Sequence, residues 1–282
     1  MSKLLLLSFA DKRFRNSLVR LEKQTRDFPF DERFFMTQDD VLSKSYWRNL
    51  KPWLYRRGYG FWSWKALIIN SFLGKLNDGD VIFWSDAGLF WNFNQQSLGR
   101  FNEYVSMLDG ENDIVVFEQE TIEQEWTKGD VLKTLNVYDN KDICESKQFW
   151  GGLMLFRNTE RMRKFWKELE ALYNIKKELI TDLRSSVPNK PGFKEHRHDQ
   201  SIFSVKVKQI PHAVIPASET HVVDGNWDKL SSSPVQGRRL KEQDRPKSEV
   251  IKNKLMMPWR TLLHFYFRKI RHYEYLCDHY PW

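Results

Sequence analysis

Residues 57–92 read RGYGFWSWKALIINSFLGKLNDGDVIFWSDAGLFWN, and their order predicts a helix, a turn and a buried strand. Across 62–76 the apolar residues Leu67, Ile68, Phe72 and Leu76 recur at helical spacing. Asp78-Gly79 is a turn signal, and the run Val81-Ile82-Phe83-Trp84 behind it has strand composition. A lone acid, Asp86, follows at or near the C-terminal end of that strand. In open α/β sheets ligands bind at that edge. A carboxylate there is placed to hold a divalent metal against a phosphate.

The same grammar runs outward in both directions. Residues 4–9 read as a first buried strand, and 11–26 as a helix with Phe14, Leu18, Val19 and Leu21 on related faces. Further strands are expected over 33–37, 113–117, 153–156 and 214–215. A long amphipathic helix is expected over 159–182, with Met162, Phe165, Trp166, Leu169, Leu172 and Tyr173 apolar. Strands interleaved with helices define an α/β sheet. Residues 184–198, with two prolines and Gly192, read as a loop. The organisation is then an α/β domain over 1–217, a long loop or lid over 218–254 and a basic aromatic helical tail over 255–282.

A chain of 282 residues suits one large α/β domain, and 41% hydrophobic content fills a sizeable core. The 12 Trp and 20 Phe supply that core, with some rings expected to be exposed near a site. The net charge of +8 is local: residues 238–271 hold eleven Lys/Arg against three Asp/Glu, while the remainder holds 34 of each sign. Such a patch favours an anionic membrane surface or a phosphorylated lipid carrier. Nucleic acid is not the expected partner, because the body of the chain is neutral. Cys144 and Cys277 show no metal-type spacing and no disulfide framework, which points to a reducing compartment. The N-terminal apolar run is too short for a signal peptide, and no apolar span approaches the ~18 residues of a membrane helix. The expectation is a cytoplasmic protein, soluble or peripheral at the inner face of the membrane. The Gly-rich phosphate loops, the serine nucleophile elbow and zinc-type Cys/His clusters are all missing, which weighs against dehydrogenase, ATPase, hydrolase and zinc-enzyme readings.

Four further patterns bear on chemistry. Lys65 either neutralises a diphosphate as a point charge or is a solvated residue at a helix start, and Tyr59 and Trp62 beside it offer ring faces to a base or sugar. Gly151-Gly152, after Gln148 and Trp150, allows close backbone approach to a ligand or makes a tight strand entry. The run His196-Arg197-His198-Asp199-Gln200 opens a helix, where acceptors cap and anions are attracted. Glu118, Glu120, Glu123, Glu125 and Glu195 are either a charged face or the source of a general base.

The blocks GYGFWSWK (58–65), DGDVIFWSDAG (78–88) and HDQS (198–201) resemble, in this order, a signature of bacterial glycosyltransferases of the capsule and lipopolysaccharide type. The resemblance covers about residues 3–203. It implies a GT-A-like, Rossmann-related sheet, mixed and mostly parallel, flanked by helices, with the basic tail as an appendage. It implies transfer of a hexose-type sugar from a nucleotide-sugar donor, UDP-linked, to a capsule, O-antigen or lipooligosaccharide acceptor, free or lipid-linked. Asp86 would be the metal ligand for Mn2+ or Mg2+. The family's usual Asp-x-Asp is reduced here to Ser85-Asp86-Ala87-Gly88, so a second ligand comes from elsewhere, with His198 the candidate, or metal dependence is weak. Asp199 and Gln200 would lie under the donor sugar and act in catalysis with Asp86, Gln200 facing the anomeric carbon. By fold analogy Ser8, Phe9 and Ala10 would meet the nucleoside, and Asp39 or Asp40 the ribose or base edge. Tyr59, Trp62, Lys65 and Ser85 would complete the donor side, and Gln148, Trp150, Gly151 and Gly152 would form the acceptor side. Asp199-Gln200 favours retention over inversion. The competing readings are a catalytically inactive scaffold of the same fold and a nucleic-acid binder using the basic tail.

Overall fold

The unbroken apolar run at the N-terminus and the run before Asp86 become neighbouring central strands, covered on both faces as such runs require. The structure, a computed structural model, describes residues 2–41 and 58–238. The chain runs β1 (Leu4–Ala10), α1 (Arg15–Gln24), β2 (Glu32–Thr37), α2 (Trp64–Leu73), β3 (Val81–Ser85) and β4 (Phe90–Trp91). It continues through α3 (Gln95–Ser106), β5 (Ile114–Ile122), β6 (Lys147–Arg157), α4 (Glu160–Ile175), α5 (Asp199–Val207), β7 (Ala213–Ile215) and β8 (Val235–Gln236). Six strands form one sheet in the order β2-β1-β3-β6-β5-β7. β6 pairs antiparallel with both β3 and β5, and the other pairings are parallel. This is the mixed, mostly parallel sheet flanked by helices that was expected.

Two apolar layers hold the helices to the sheet. On one face Leu7, Trp84, Met154 and Phe156 pack with Ile68 and Ile69 of α2, Trp166 of α4 and Phe203 of α5. On the other, Leu6, Phe83, Val115 and Leu155 pack with Phe101 and Tyr104 of α3 and Trp91 of β4. Most of the aromatic surplus goes here. Phe28, Phe30, Phe83, Trp91 and Phe101 form edge-to-face and stacked pairs with centroids 5.0–6.2 Å apart, the separations that ring quadrupoles favour.

β5 and β6 run well past the short strands expected at 113–117 and 153–156. Their polar extensions lack strand composition but pair with each other, Glu118 opposite Phe149 and Ile122 opposite Lys147, across two register irregularities. These extensions carry Gln148, Trp150 and Gly151-Gly152 to the edge of the sheet.

The expected loop or lid begins at 218. As far as 238 it is tied to the body, since β8 pairs with β4 (Phe90 opposite Gln236, Trp91 opposite Val235) and Leu230 and Val235 are buried. Residues 239–254 of that segment and the basic tail 255–282 lie outside the described residues.

Candidate active site

The strand order turns at β1, which has β2 on one side and β3 on the other. Crevices form outside the C-terminal strand ends at such a point. Here the ends are Phe9-Ala10-Asp11 and Ser85-Asp86, and both border a cavity of about 420 Å³. Phe9, Ala10, Tyr59, Trp62, Lys65, Asp86, Trp150, Gly151, Gly152, His198, Asp199 and Gln200 all line it. Three blocks between residues 58 and 201 thus converge on one space.

Lys65 joins them. Its ammonium, on the first turn of α2, donates to the Gly151 carbonyl at 2.6 Å and to Asp199 Oδ2 at 3.1 Å, and stands 3.5 Å from Asp86 Oδ1. The rings of Trp84 and Trp64 flank it, centroids 5.6 and 5.9 Å away. It is 4% exposed, so it is not a solvated helix-start lysine. Burial alone would drag this ammonium down, but the Asp199 and Asp86 carboxylates outweigh it and hold it above the usual lysine value. Burial also pushes the Asp199 carboxyl up to about 6; Lys65 opposes that and Asp86 adds to it. Asp199 is the first residue of α5, not its cap, and its carboxylate is spent on Lys65. Asp86 keeps a 36% exposed side chain in the cavity, its Oδ1 accepting from Trp84 Nε1 at 3.0 Å.

The GYGFW block has a backbone reason. Gly58, Tyr59, Gly60, Phe61 and Trp62 all have φ between 52° and 96°. A left-handed turn of this kind costs roughly 1–2 kcal/mol for each non-glycine residue. It is pinned by Trp62 N–H to Gly58 O at 3.0 Å, Ser63 Oγ to Gly60 O at 2.7 Å and Trp64 Nε1 to Gly58 O at 2.9 Å. Strain held by its surroundings clusters at ligand sites, and this turn sets Tyr59 and Trp62 on the cavity wall. Desolvation, with the fields of Asp11 and Asp39, pushes the Tyr59 hydroxyl up to about 12.

The paired glycines answer to close approach. A Cβ on Gly152 would lie 2.7 Å from Asp86 Oδ2, and one on Gly151 would lie 3.1 Å from the Gln200 Cβ. Gly152 also accepts the Asp86 N–H at 2.8 Å. β6 therefore comes close enough to fix both Asp86 and Gln200.

Four expected site residues do not line the cavity. Ser8 is buried within β1, and Ser85 is buried accepting from Trp91 Nε1 at 3.0 Å. Asp39 is exposed beyond β2, 3.4 Å from Lys12 Nζ. Gln148 is fully buried, and its Oε1 accepts from Gln200 Nε2 at 2.7 Å, so it is not a sugar contact. None of the glutamates considered as a base lines the cavity either: its acids are Asp11, Asp86 and Asp199. Conversely Asp11, Arg13, Trp64 and Arg197 line it without having been singled out. Asp11 and Arg13 follow directly on the first strand, and Arg197 sits inside the His-Arg-His-Asp-Gln run, so position alone marked them. Arg13 is paired to Asp11 at 2.6 Å, and Arg197 lies 4.0 Å over the Trp126 ring.

Of the two expected metal ligands, Asp86 fits and His198 does not. His198 Nδ1 is 2.8 Å from the Ile180 carbonyl, and its Nε2 faces Asp182 Oδ1 at 3.6 Å. Among the described residues no three His, Cys, Asp or Glu side chains gather as a metal cage. Asp11 is paired with Arg13 and Asp199 with Lys65, so a cation at Asp86 would take its remaining ligands from phosphate oxygens and water.

No protein-family model and no curated protein matches the chain. Solved structures do resemble it. A glycosyltransferase involved in the glycosylation of the major capsid of PBCV-1 shares 11% identity at a TM-score of 0.47, covering 86% of this chain and 98% of that one. Mouse xyloside xylosyltransferase 1 shares 13% identity at 0.46, over 83% and 93%. The galactosyltransferase LgtC, in complex with donor and acceptor sugar analogues, shares 12% identity at 0.43, over 83% and 86%. Likeness at this level does not reach function, which rests on the site.

Proposed function

We propose that the chain is a glycosyltransferase that moves a hexose-type sugar from a UDP-linked donor to a hydroxyl of a surface-glycan acceptor, with retention of configuration. The observation that carries this reading is the buried Lys65 ammonium between Asp86 and Asp199, at the paired ends of β1 and β3. Transfer from a nucleotide sugar needs a nucleoside pocket, neutralisation of the departing diphosphate and polar groups around the anomeric carbon. Phe9, Ala10, Tyr59 and Trp62 supply an aromatic and backbone wall for the nucleoside. Asp86 would hold a divalent cation, which bound there would neutralise the diphosphate as a Lewis acid. Asp199 and Gln200 face the sugar, with Lys65 keeping the Asp199 carboxylate charged and in place. Lys65 does not contact the diphosphate directly in this reading, because its three donors face Gly151, Asp199 and Asp86. The acid–amide pair Asp199-Gln200 on the cavity wall is what supports retention over inversion. The basic tail beyond the described residues supports an acceptor carried on an anionic membrane surface.

Release of UDP from a panel of UDP-hexoses in Mn2+ tests the reading. The wild type should turn over at least one donor, and Asp86→Asn should be about 100-fold slower or worse. A wild type that releases no UDP from any of them sinks the proposal.

A further inference from the structure

We infer that Gln148 and Glu123 are positioning residues that fix the side-chain amide of Gln200, so that its carbonyl oxygen, not its NH2, is presented on the β6 side of the cavity. The inference rests on the reading that Gln200 faces the donor sugar.

Glu123 is fully buried just beyond β5. Its Oε1 receives Thr127 Oγ1 at 2.6 Å and Gln148 Nε2 at 3.1 Å. Its Oε2 receives Lys208 Nζ at 2.6 Å and the Ser204 hydroxyl. A carboxylate only accepts. The end of Gln148 that faces it must therefore be the NH2. The other atoms around that end agree. Thr127 Oγ1 gives its proton to Glu123, and Ser201 Oγ gives its proton to the Trp126 carbonyl at 2.6 Å. Both are left as acceptors for Gln148 Nε2, at 3.3 and 3.4 Å.

The carbonyl end of Gln148 must then point the other way, toward Gln200 at 2.7 Å. Two carbonyl oxygens at that distance repel, so Gln200 has to offer its NH2. Its Oε1 is consequently turned to the Gly151 N–H, 3.3 Å away, on the cavity wall. The orientation of both amides thus follows from one fixed acceptor, Glu123, two links back. The device explains why Gln148, expected at the acceptor side, is buried. It also explains why Ser201 and Ser204 line the inner face of α5, one bonding Gln148 Nε2 and the other Glu123 Oε2.

The site gains a preoriented electron-pair donor. With one lone pair of Gln200 Oε1 on the Gly151 N–H, the other is left for the positive charge that develops at the anomeric carbon when the bond to diphosphate loosens, on the reading that Gln200 faces the donor sugar. An NH2 in the same place opposes that charge. A flip of Gln200 would thus slow the chemical step while leaving nucleotide binding alone, since Gln148 and Glu123 touch no part of the nucleoside wall.

Gln148→Met, which keeps the volume and deletes the amide, is the direct test. UDP affinity by calorimetry in Mn2+ should stay within about threefold, while kcat for donor hydrolysis falls about 10- to 100-fold. Wild-type kcat retained by a folded Gln148→Met overturns the inference. An equal loss of UDP binding and kcat overturns it too, since that is general collapse of the site. If the variant does not fold, 15N NMR of the wild type decides. The Gln200 side-chain amide, assigned by its disappearance in Gln200→Ala, should be protected from solvent exchange; free exchange overturns the inference. A wild type that neither binds UDP nor releases it fails the functional proposal instead, and is told apart because the NMR readout needs no activity.

Discussion

The ammonium of Lys65 lies 3.1 Å from the carboxylate of Asp199, 134 residues away in sequence, and both groups are buried. No other contact in the molecule ties α2 to α5 through charge at the cavity wall, among the described residues. Removing one partner of a buried pair leaves the other uncompensated, at a cost of about 3–5 kcal/mol. Lys65→Met should lose stability on that scale in urea unfolding. Lys65→Met combined with Asp199→Asn should recover part of it, giving a coupling energy of about 1 kcal/mol or more. Additive losses would mean that the pair does not act as a unit.

The pH dependence follows from the Asp199 carboxyl, held near 6. Below that value it takes up a proton and no longer balances Lys65 or meets the donor as an anion. The kcat/KM profile should fall on the acid side with an apparent midpoint near 6, and Asp199→Asn should abolish that limb. The stability sign is opposite to that of an ordinary surface aspartate. A folded-state value raised above the unfolded one, about 3.9, gives a contribution that is complete below the unfolded value and lost as pH rises through 6. Unfolding of wild type and Asp199→Asn between pH 4 and 7 checks it: the gap should move against the wild type as pH rises.

Gly152 is required by the space beside Asp86, where a methyl group would sit 2.7 Å from Oδ2. Gly152→Ala should displace that carboxylate and weaken Mn2+-dependent UDP binding about tenfold or more, a misplacement effect. Thermal stability should change much less than it does in Lys65→Met. Calorimetric titration at matched metal concentration reads this, and unchanged affinity would remove Asp86 from the metal site.

The left-handed turn makes a separate claim. A Cβ on Gly58 would meet the Trp62 ring at 2.3 Å, and Gly58 has φ +52°. Gly58→Ala should break the turn, withdraw Tyr59 and Trp62 from the wall, and lower UDP affinity by about 1–3 kcal/mol for one lost base stack. Near-UV circular dichroism should report the change in the Trp62 environment. A variant with native dichroism and native affinity contradicts the role given to the turn.

Much of this architecture was legible because its signals are local. The period of α2, the Asp78-Gly79 turn and the apolar runs of β1 and β3 each depend on their own residues, and they place Asp86 at the sheet edge. What was not legible depends on partners far along the chain. The polar ends of β5 and β6 become strands only because they pair with each other. Gln148 looked like a surface contact because nothing near it in sequence announces the buried Glu123. His198 was expected at a metal because its type and neighbours fit, but its ring is committed to Ile180 and Asp182, brought in by the segment after α4. Lys65 was left between a diphosphate contact and a solvated helix start, because nothing near it in sequence announces the two aspartates that its charge serves.

Thermal denaturation of the wild type with UDP-hexoses in Mn2+, beside Asp86→Ala, bears most directly on the cleft as a nucleotide-sugar site. Ligand at 100-fold its Kd stabilises by about 2.7 kcal/mol, a rise of about 5–10 °C for a domain of this size. The account predicts that rise for the wild type with UDP-hexose and metal, and its loss in Asp86→Ala. No rise with any nucleotide sugar, or an equal rise in both proteins, would contradict it.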